Sequence, residues 1–169
     1  MTRTIARILV PTDFGPAAGA ALDYAITLAR QFEASLRLLH VVDDPFVAGA
    51  AWGSEVYVGP VPAMRETLVD EAAAKLSAQL ERADVGPVPA RSEVRIGRPA
   101  DLIREVAEQE ACDLIVMGTH GRTGMAHLLM GSVAERVLRT APCPVMTVRA
   151  SDGLAAETEM FQRELVPTE

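Results

Sequence analysis

Short apolar runs alternate with amphipathic segments along this chain, and that alternation constrains the fold more than any other feature. Five runs have the length and apolar character of buried strands, and four segments between them place apolar residues at helical spacing. Parallel strands need this order, because each connecting helix must return the chain to the start of the next strand. The pattern predicts an α/β fold with one parallel sheet covered by helices on both faces.

The predicted strands are bounded by proline, glycine and other turn residues. They are residues 5–10, 35–42, 91–96, 113–117 and 143–148, with helices predicted to begin at Pro16, Ala63, Pro99 and Ser132. Ligands of such sheets bind beyond the carboxyl ends of the strands, where the winding reverses. Two candidate sequences, Pro11-Thr12-Asp13 and Met117-Gly118, lie at such ends.

A glycine-rich stretch follows the fourth predicted strand. Gly118-Thr119-His120-Gly121-Arg122-Thr123-Gly124 comes directly after it, and Gly131-Ser132 opens the next helix. Glycine lets the backbone approach a ligand closely, and the first turn of a helix offers N–H groups without partners. The arrangement predicts a phosphate site, with turn formation alone as the competing explanation for the glycines. The loop lacks the Gly-Lys-Ser/Thr ending of a P-loop.

Charge and length limit the partners. The net charge of -7 argues against a general nucleic-acid surface, since affinity for a phosphate backbone comes from clustered cations. No apolar run approaches the roughly 20 residues of a membrane span, and no secretory signal opens the chain, so we expect no membrane partner and a cytoplasmic location. We expect one domain over residues 1–150 and a tail over residues 151–169 that is disordered or contacts a partner.

Other polar and apolar features leave simpler explanations open. Cys112 and Cys143 flank predicted strands and are expected to be small core residues. His40 and His127 have no cysteine or histidine partner nearby in sequence, so a histidine metal site is not expected. The apolar segment from Asp43 to Pro60 exceeds the usual connection of about 4–6 residues, and it is either a lid or a contact surface.

Several of these motifs together resemble the universal stress protein family. They are Pro11-Thr12-Asp13-Phe14, Val41-Val42, the run from Val116 to Arg122, and the spacing of Gly118, Gly121, Gly131 and Ser132. The resemblance covers residues 5–148. It implies a Rossmann-like, adenine nucleotide alpha hydrolase-like fold with strand order 3-2-1-4-5. It also implies ATP as ligand, with Mg or Mn as its ion, and a homodimer that pairs through the last strand, from Cys143 to Val148.

The same resemblance implies the nucleotide-binding residues. These are Pro11, Thr12, Asp13, Val41, Val42, Met117, Gly118, His120, Gly121, Arg122, Gly131, Ser132 and Val133. Asp13 would meet adenosine, although it could instead only cap the turn before Pro16. The backbone of Val41 and Val42 would line the adenine slot. Gly118, Gly121 and Arg122 would approach ribose and phosphates, and N–H groups of Gly131, Ser132 and Val133 would hold the phosphates.

The implied function is that of a nucleotide-responsive regulatory module in a stress response, with no catalytic residue expected. Without a P-loop lysine, and with no carboxylate evidently placed to orient water, we expect binding with slow or no hydrolysis. The alternatives are a slow ATPase or phosphotransfer enzyme, and a nucleotide-stabilised scaffold for an unidentified protein partner. One departure from related chains is Gly15, where a serine that caps the first helix is common.

Overall fold

The computed structural model describes residues 4–43, 61–120 and 130–150. Its strands are β1 (Arg7–Pro11), β2 (Ser35–Val42), β3 (Ala90–Ile96), β4 (Leu114–Gly118) and β5 (Val145–Val148). Its helices are α1 (Pro16–Phe32), α2 (Val61–Arg82), α3 (Pro99–Gln109) and α4 (Ser132–Thr140). The strands form one sheet in the order β3-β2-β1-β4-β5, and every neighbouring pair is parallel. The predicted fold class and strand order are confirmed.

The central strands are buried on both faces, because successive side chains of a strand point to opposite sides of the sheet. Ile8 and Val10 of β1 join a core with residues of α1 and with Leu76 of α2. Leu9, between them in sequence, joins a second core with Ile103 of α3 and residues of α4. Helices therefore cover both faces, as the alternation of runs predicted.

Three predicted strand starts were too early. β1 begins at Arg7, two residues after the predicted Ile5. Asp113 lies before β4, and its Oδ2 accepts hydrogen bonds from the backbone N–H groups of Ala6 and Arg7 at 2.9 and 3.0 Å. Its carboxylate thus fixes the entrance to β1 instead of extending β4. The last strand begins at Val145, two residues after the predicted Cys143.

The cysteines fit the expectation of core residues. Cys112 is buried and Cys143 is half-buried, and neither forms a disulfide. Burial raises the pKa of the Cys112 thiol to about 11, so this thiol is protonated and unreactive at neutral pH.

The carboxyl edge of the sheet contains the point where the winding reverses. The chain leaves β1 for α1 on one face and leaves β4 for α4 on the other, and these two strands are neighbours. Such a junction is where ligands of open α/β sheets bind. Across the described ranges, the structure has no helix that combines the length and hydropathy of a membrane span.

Candidate site at the carboxyl edge of the sheet

The turn from β1 to α1 is fixed by its own side chains. The Phe14 N–H donates to Thr12 Oγ1 at 3.1 Å, and the Gly15 N–H donates to Asp13 Oδ1 at 2.9 Å. Phe14 has the left-handed backbone conformation, with a φ of 66°, which a non-glycine residue adopts only where its surroundings hold it. Asp13 therefore caps this turn, as the simpler alternative proposed, and the bond uses its Oδ1 atom. Contact with a ligand stays a prediction.

His40, near the end of β2, contacts the same turn through a hydrogen bond and a ring contact. Its Nδ1 donates to the Thr12 carbonyl oxygen at 2.8 Å, and its ring centroid lies 4.4 Å from that of Phe14. A carbonyl oxygen only accepts, so Nδ1 of the imidazole carries a proton. The residue is only 8% exposed, which makes this bond the replacement for a lost contact with water.

Sequence reasoning considered His40 only as a metal ligand and missed this role. Leu36 and Leu38 face the core that contains α1, and the two-residue period of a strand puts His40 on that face as well. That period, combined with the position of His40 near the end of a strand, is the signal that could have identified it.

The end of β2 extends beyond its neighbour β1. The last residues paired between these strands are Pro11 and Leu39, whereas β3 accompanies β2 as far as Val42. The Val42 carbonyl also accepts the Gly97 N–H at 3.0 Å. Val41, half-buried against the second core, therefore has a strand neighbour on the β3 side and none opposite it in β1. This is where the adenine slot was predicted.

The start of α4 is tied to the end of β4. The Thr119 N–H donates to the Val148 carbonyl, and the Thr119 carbonyl accepts the Gly131 N–H, both at 2.8 Å. Thr119 is only 4% exposed, so these bonds hold the N-cap of α4 close to the carboxyl edge. Since the Gly131 N–H already donates to Thr119, the donors of the first helical turn are those of Ser132, Val133 and Ala134. Glu135 is the next residue, and its N–H bonds to the Gly131 carbonyl at 3.0 Å.

Gly118 has a packing reason for being glycine. A Cβ atom built on it would lie 2.9 Å from the Ala17 carbonyl carbon and 3.0 Å from the Ala18 backbone nitrogen. Real Cβ atoms essentially never come this close to backbone, so β4 can lie against the start of α1 only with glycine here. Adjacent Met117 is buried in the second core.

The remaining predicted residues divide between described and undescribed parts of the chain. Pro11 is the buried last residue of β1, and half-buried His120 places Nδ1 3.0 Å from Thr119 Oγ1. Gly121 and Arg122 lie outside the described residues, as do 44–60 of the predicted lid or contact segment and the tail 151–169. Within the described ranges, no group of three or more His, Cys, Asp or Glu side chains could hold a metal ion.

Comparison with known proteins identifies relatives of the whole fold. Residues 4–149 match the model of the universal stress protein family. A universal stress protein of Methanocaldococcus jannaschii is 39% identical over 144 residues, which cover 85% of this chain and 81% of that protein. The structure of a universal stress protein from Lactobacillus plantarum aligns with a TM-score of 0.72 at 31% identity, covering 88% of this chain and 100% of that one.

Two more distant structures share the fold and contain adenine nucleotides. A universal stress protein in complex with cAMP is 24% identical, with a TM-score of 0.62, and the match covers 88% of this chain and 100% of that one. The universal stress protein from Archaeoglobus fulgidus in complex with dAMP is 19% identical, with a TM-score of 0.59, and the match covers 86% of this chain and 99% of that one.

Proposed function

This chain belongs to the universal stress protein family, and on that premise we propose that it binds ATP at the carboxyl edge between β1 and β4. One observation carries the proposal. The β1–α1 turn, the end of β2 that extends beyond β1 and the start of α4 all lie at the carboxyl edge of the sheet, beside the point where the winding reverses.

Each part of that edge supplies a different contact in the proposal. The backbone of Val41 and Val42 lines the adenine slot, and Asp13 lies beside the adenosine. The N–H groups of Ser132 and Val133, with the Ser132 hydroxyl, hold the phosphates, because the first turn of a helix attracts anions through its free donors and its dipole. Gly121 and Arg122 are expected to add contacts to ribose and phosphates.

The ligand class has independent support. The fold that this chain shares with two universal stress proteins holds cAMP in one and dAMP in the other. Mg or Mn would accompany ATP mainly through its phosphates, which is how magnesium is commonly bound in nucleotide sites. The proposal therefore needs no metal site made by protein side chains alone.

We propose a regulatory function with slow or no hydrolysis. Nucleotide occupancy would change the populations of two states of the chain, to an extent set by the difference in affinity for them. Pairing of two chains through β5 belongs to the same proposal. Among the described residues, β5 has a strand neighbour on one side only, and Val145, Met146 and Thr147 are half-buried, so a second copy could pair with its outer backbone groups.

Calorimetric titration of the full chain with ATP and magnesium tests the binding proposal. We expect a saturable isotherm for the native chain and a loss of affinity in Gly131→Val. Gly131 has φ -77° and ψ 155°, a conformation open to valine, so its Cβ branches would obstruct the ligand without straining the backbone. Equal affinity of the two proteins would contradict the phosphate site. Phosphate release well above that of Asp13→Ala would contradict the absence of appreciable hydrolysis.

A further inference from the structure

A second concave site lies on the face of the sheet covered by α1 and α2. A groove of about 420 Å³ separates the first turns of α1 from the last turns of α2. Phe14, Gly15 and Gly19 line one side, and Lys75, Gln79 and Arg82 line the other. Its volume falls within the range of about 300–1,000 Å³ that is typical of small-molecule sites.

The groove brings together two cations that have no carboxylate partner. In the described part of the chain, Lys75 forms no ion pair or side-chain hydrogen bond, and Arg82 only donates from Nε to the Ala78 carbonyl at 3.0 Å. Arg104, by contrast, forms an ion pair with Glu108. On a chain with net charge -7, two unpaired cations in one concavity create a local positive potential.

The start of α1 adds to that potential. Gly15 is the N-cap and provides no side-chain hydrogen bond, and the first turn contains no acidic residue. Asp13, which precedes the helix, accepts the Gly15 N–H at 2.9 Å with its Oδ1 and offsets part of the positive end of the helix dipole, so Lys75 and Arg82 supply most of the positive potential. This end faces the same groove as Lys75 and Arg82.

The groove also has an apolar wall and unfilled space. Phe14 is held in place by its ring contact with buried His40 and by the bond from its N–H to Thr12. A Cβ atom at Gly19 would meet nothing within 4 Å, so that side of the groove is open. An occupant would thus meet an aromatic ring at one point and positive charge at others.

We propose that this groove binds a small organic anion in which a carboxylate or phosphate group is joined to an apolar body. The anionic group lies near Lys75, Arg82 and the start of α1, and the apolar body contacts Phe14. Gln79 connects the groove to the β1–α1 turn, because its Oε1 accepts the Thr12 hydroxyl at 3.3 Å. Binding in the groove should therefore be detectable at Thr12 as well.

Amide chemical shifts of the full chain test the proposal with four probes: phenyl phosphate, benzoate, inorganic phosphate and benzyl alcohol. We expect saturable shifts at Gly15 and Gly19 with at least one of the first two probes, and at least tenfold weaker binding of the last two. The tighter of phenyl phosphate and benzoate identifies the preferred anionic group. Absence of saturable shifts, or equal binding of benzyl alcohol, would overturn the proposal.

Three variants separate groove binding from folding. Gly19→Leu fills the open space and suits a helix better than glycine, so we expect at least tenfold weaker binding with no loss of stability. Lys75→Gln combined with Arg82→Gln should weaken binding by a similar factor, whereas Arg104→Gln, on α3, should leave it unchanged. Unchanged affinity in the first two proteins would refute the assignment.

Competition with nucleotide separates this site from the one proposed at the carboxyl edge. Shifts that persist at saturating ATP and magnesium would support a distinct groove site. Stoichiometric displacement by ATP would overturn it, by assigning the groove to the nucleotide. If ATP does not bind at all, saturable shifts from phenyl phosphate or benzoate still support the groove, because its contacts do not depend on the nucleotide.

Discussion

The starts of α1 and α4 lie near the same edge of the sheet but are built in opposite ways. At α1, Ala17 and Ala18 are buried, and β4 lies so close that Gly118 has no room for a Cβ atom. At α4, Ser132 is exposed, and the Gly131 N–H is the donor that the protein itself uses. The comparison indicates that α1 positions the edge, whereas the first turn of α4 has N–H groups with no partner among the described residues, which in our proposal hold the phosphates.

Gly118→Val is the variant with the largest expected effect on stability, and it tests this contrast. We expect it to lower the free energy of unfolding by about 3 kcal/mol, because a side chain forced against backbone requires the helix or strand to move. Gly19→Ala is the matched control on α1. Its Cβ meets nothing within 4 Å, so we expect a gain of about 0.5–1 kcal/mol from helix propensity.

Chemical denaturation without nucleotide measures both proteins. If Gly118→Val were as stable as the native chain and lost only nucleotide affinity, Gly118 would belong to the ligand site and the contrast between the two helix starts would fail.

His40→Leu tests whether the β1–α1 turn depends on its buried support. The change leaves the Thr12 carbonyl without its donor at 2.8 Å, and an unsatisfied buried acceptor costs about 2 kcal/mol. His40→Gln retains an N–H donor and should recover part of the loss. Urea denaturation of the two variants checks this. Equal stability of His40→Leu and the native chain would show that the β1–α1 turn does not depend on His40.

A smaller effect separates the two roles considered for Asp13. Asp13→Asn keeps an acceptor for the Gly15 N–H, whereas Asp13→Ala removes it. We expect the alanine variant to lose about 1 kcal/mol of stability, as for a lost cap, and the asparagine variant to lose little. Calorimetry with ATP then isolates binding. Native affinity in Asp13→Asn would mean that the negative charge plays no part in nucleotide binding.

Much of the fold could be predicted because it depends on local patterns. Alternating apolar runs and helical segments indicated the parallel sheet and its two covered faces, and Pro16 and Pro99 marked helix starts that the structure contains. One error occurred where a residue acts through a distant partner. Asp113 was assigned to a strand because local sequence shows only the apolar run that follows it. Its bonds to Ala6 and Arg7 cross more than a hundred residues of sequence.

The candidate site was less predictable for the same reason. The glycine spacing identified the region, but the closeness of Ala17 to Gly118 and the bond from Gly131 to Thr119 join residues that are separated in sequence, so local patterns do not show them. His40 appeared in sequence as one strand residue among several. Its role exists because β1 ends before β2 and leaves the Thr12 carbonyl to be satisfied by a side chain.

Calorimetry of Ser132→Pro and Ser132→Ala with ATP and magnesium tests most directly whether backbone donors in the first turn of α4 bind the nucleotide. Proline is tolerated at the first helical position, and the extended backbone of Gly131 suits the residue before a proline. The change therefore removes one backbone donor while keeping the helix. We expect an affinity at least about fivefold weaker than that of the alanine variant, a difference on the order of 1 kcal/mol. Equal affinities would contradict the claim that the first turn of α4 holds the phosphates.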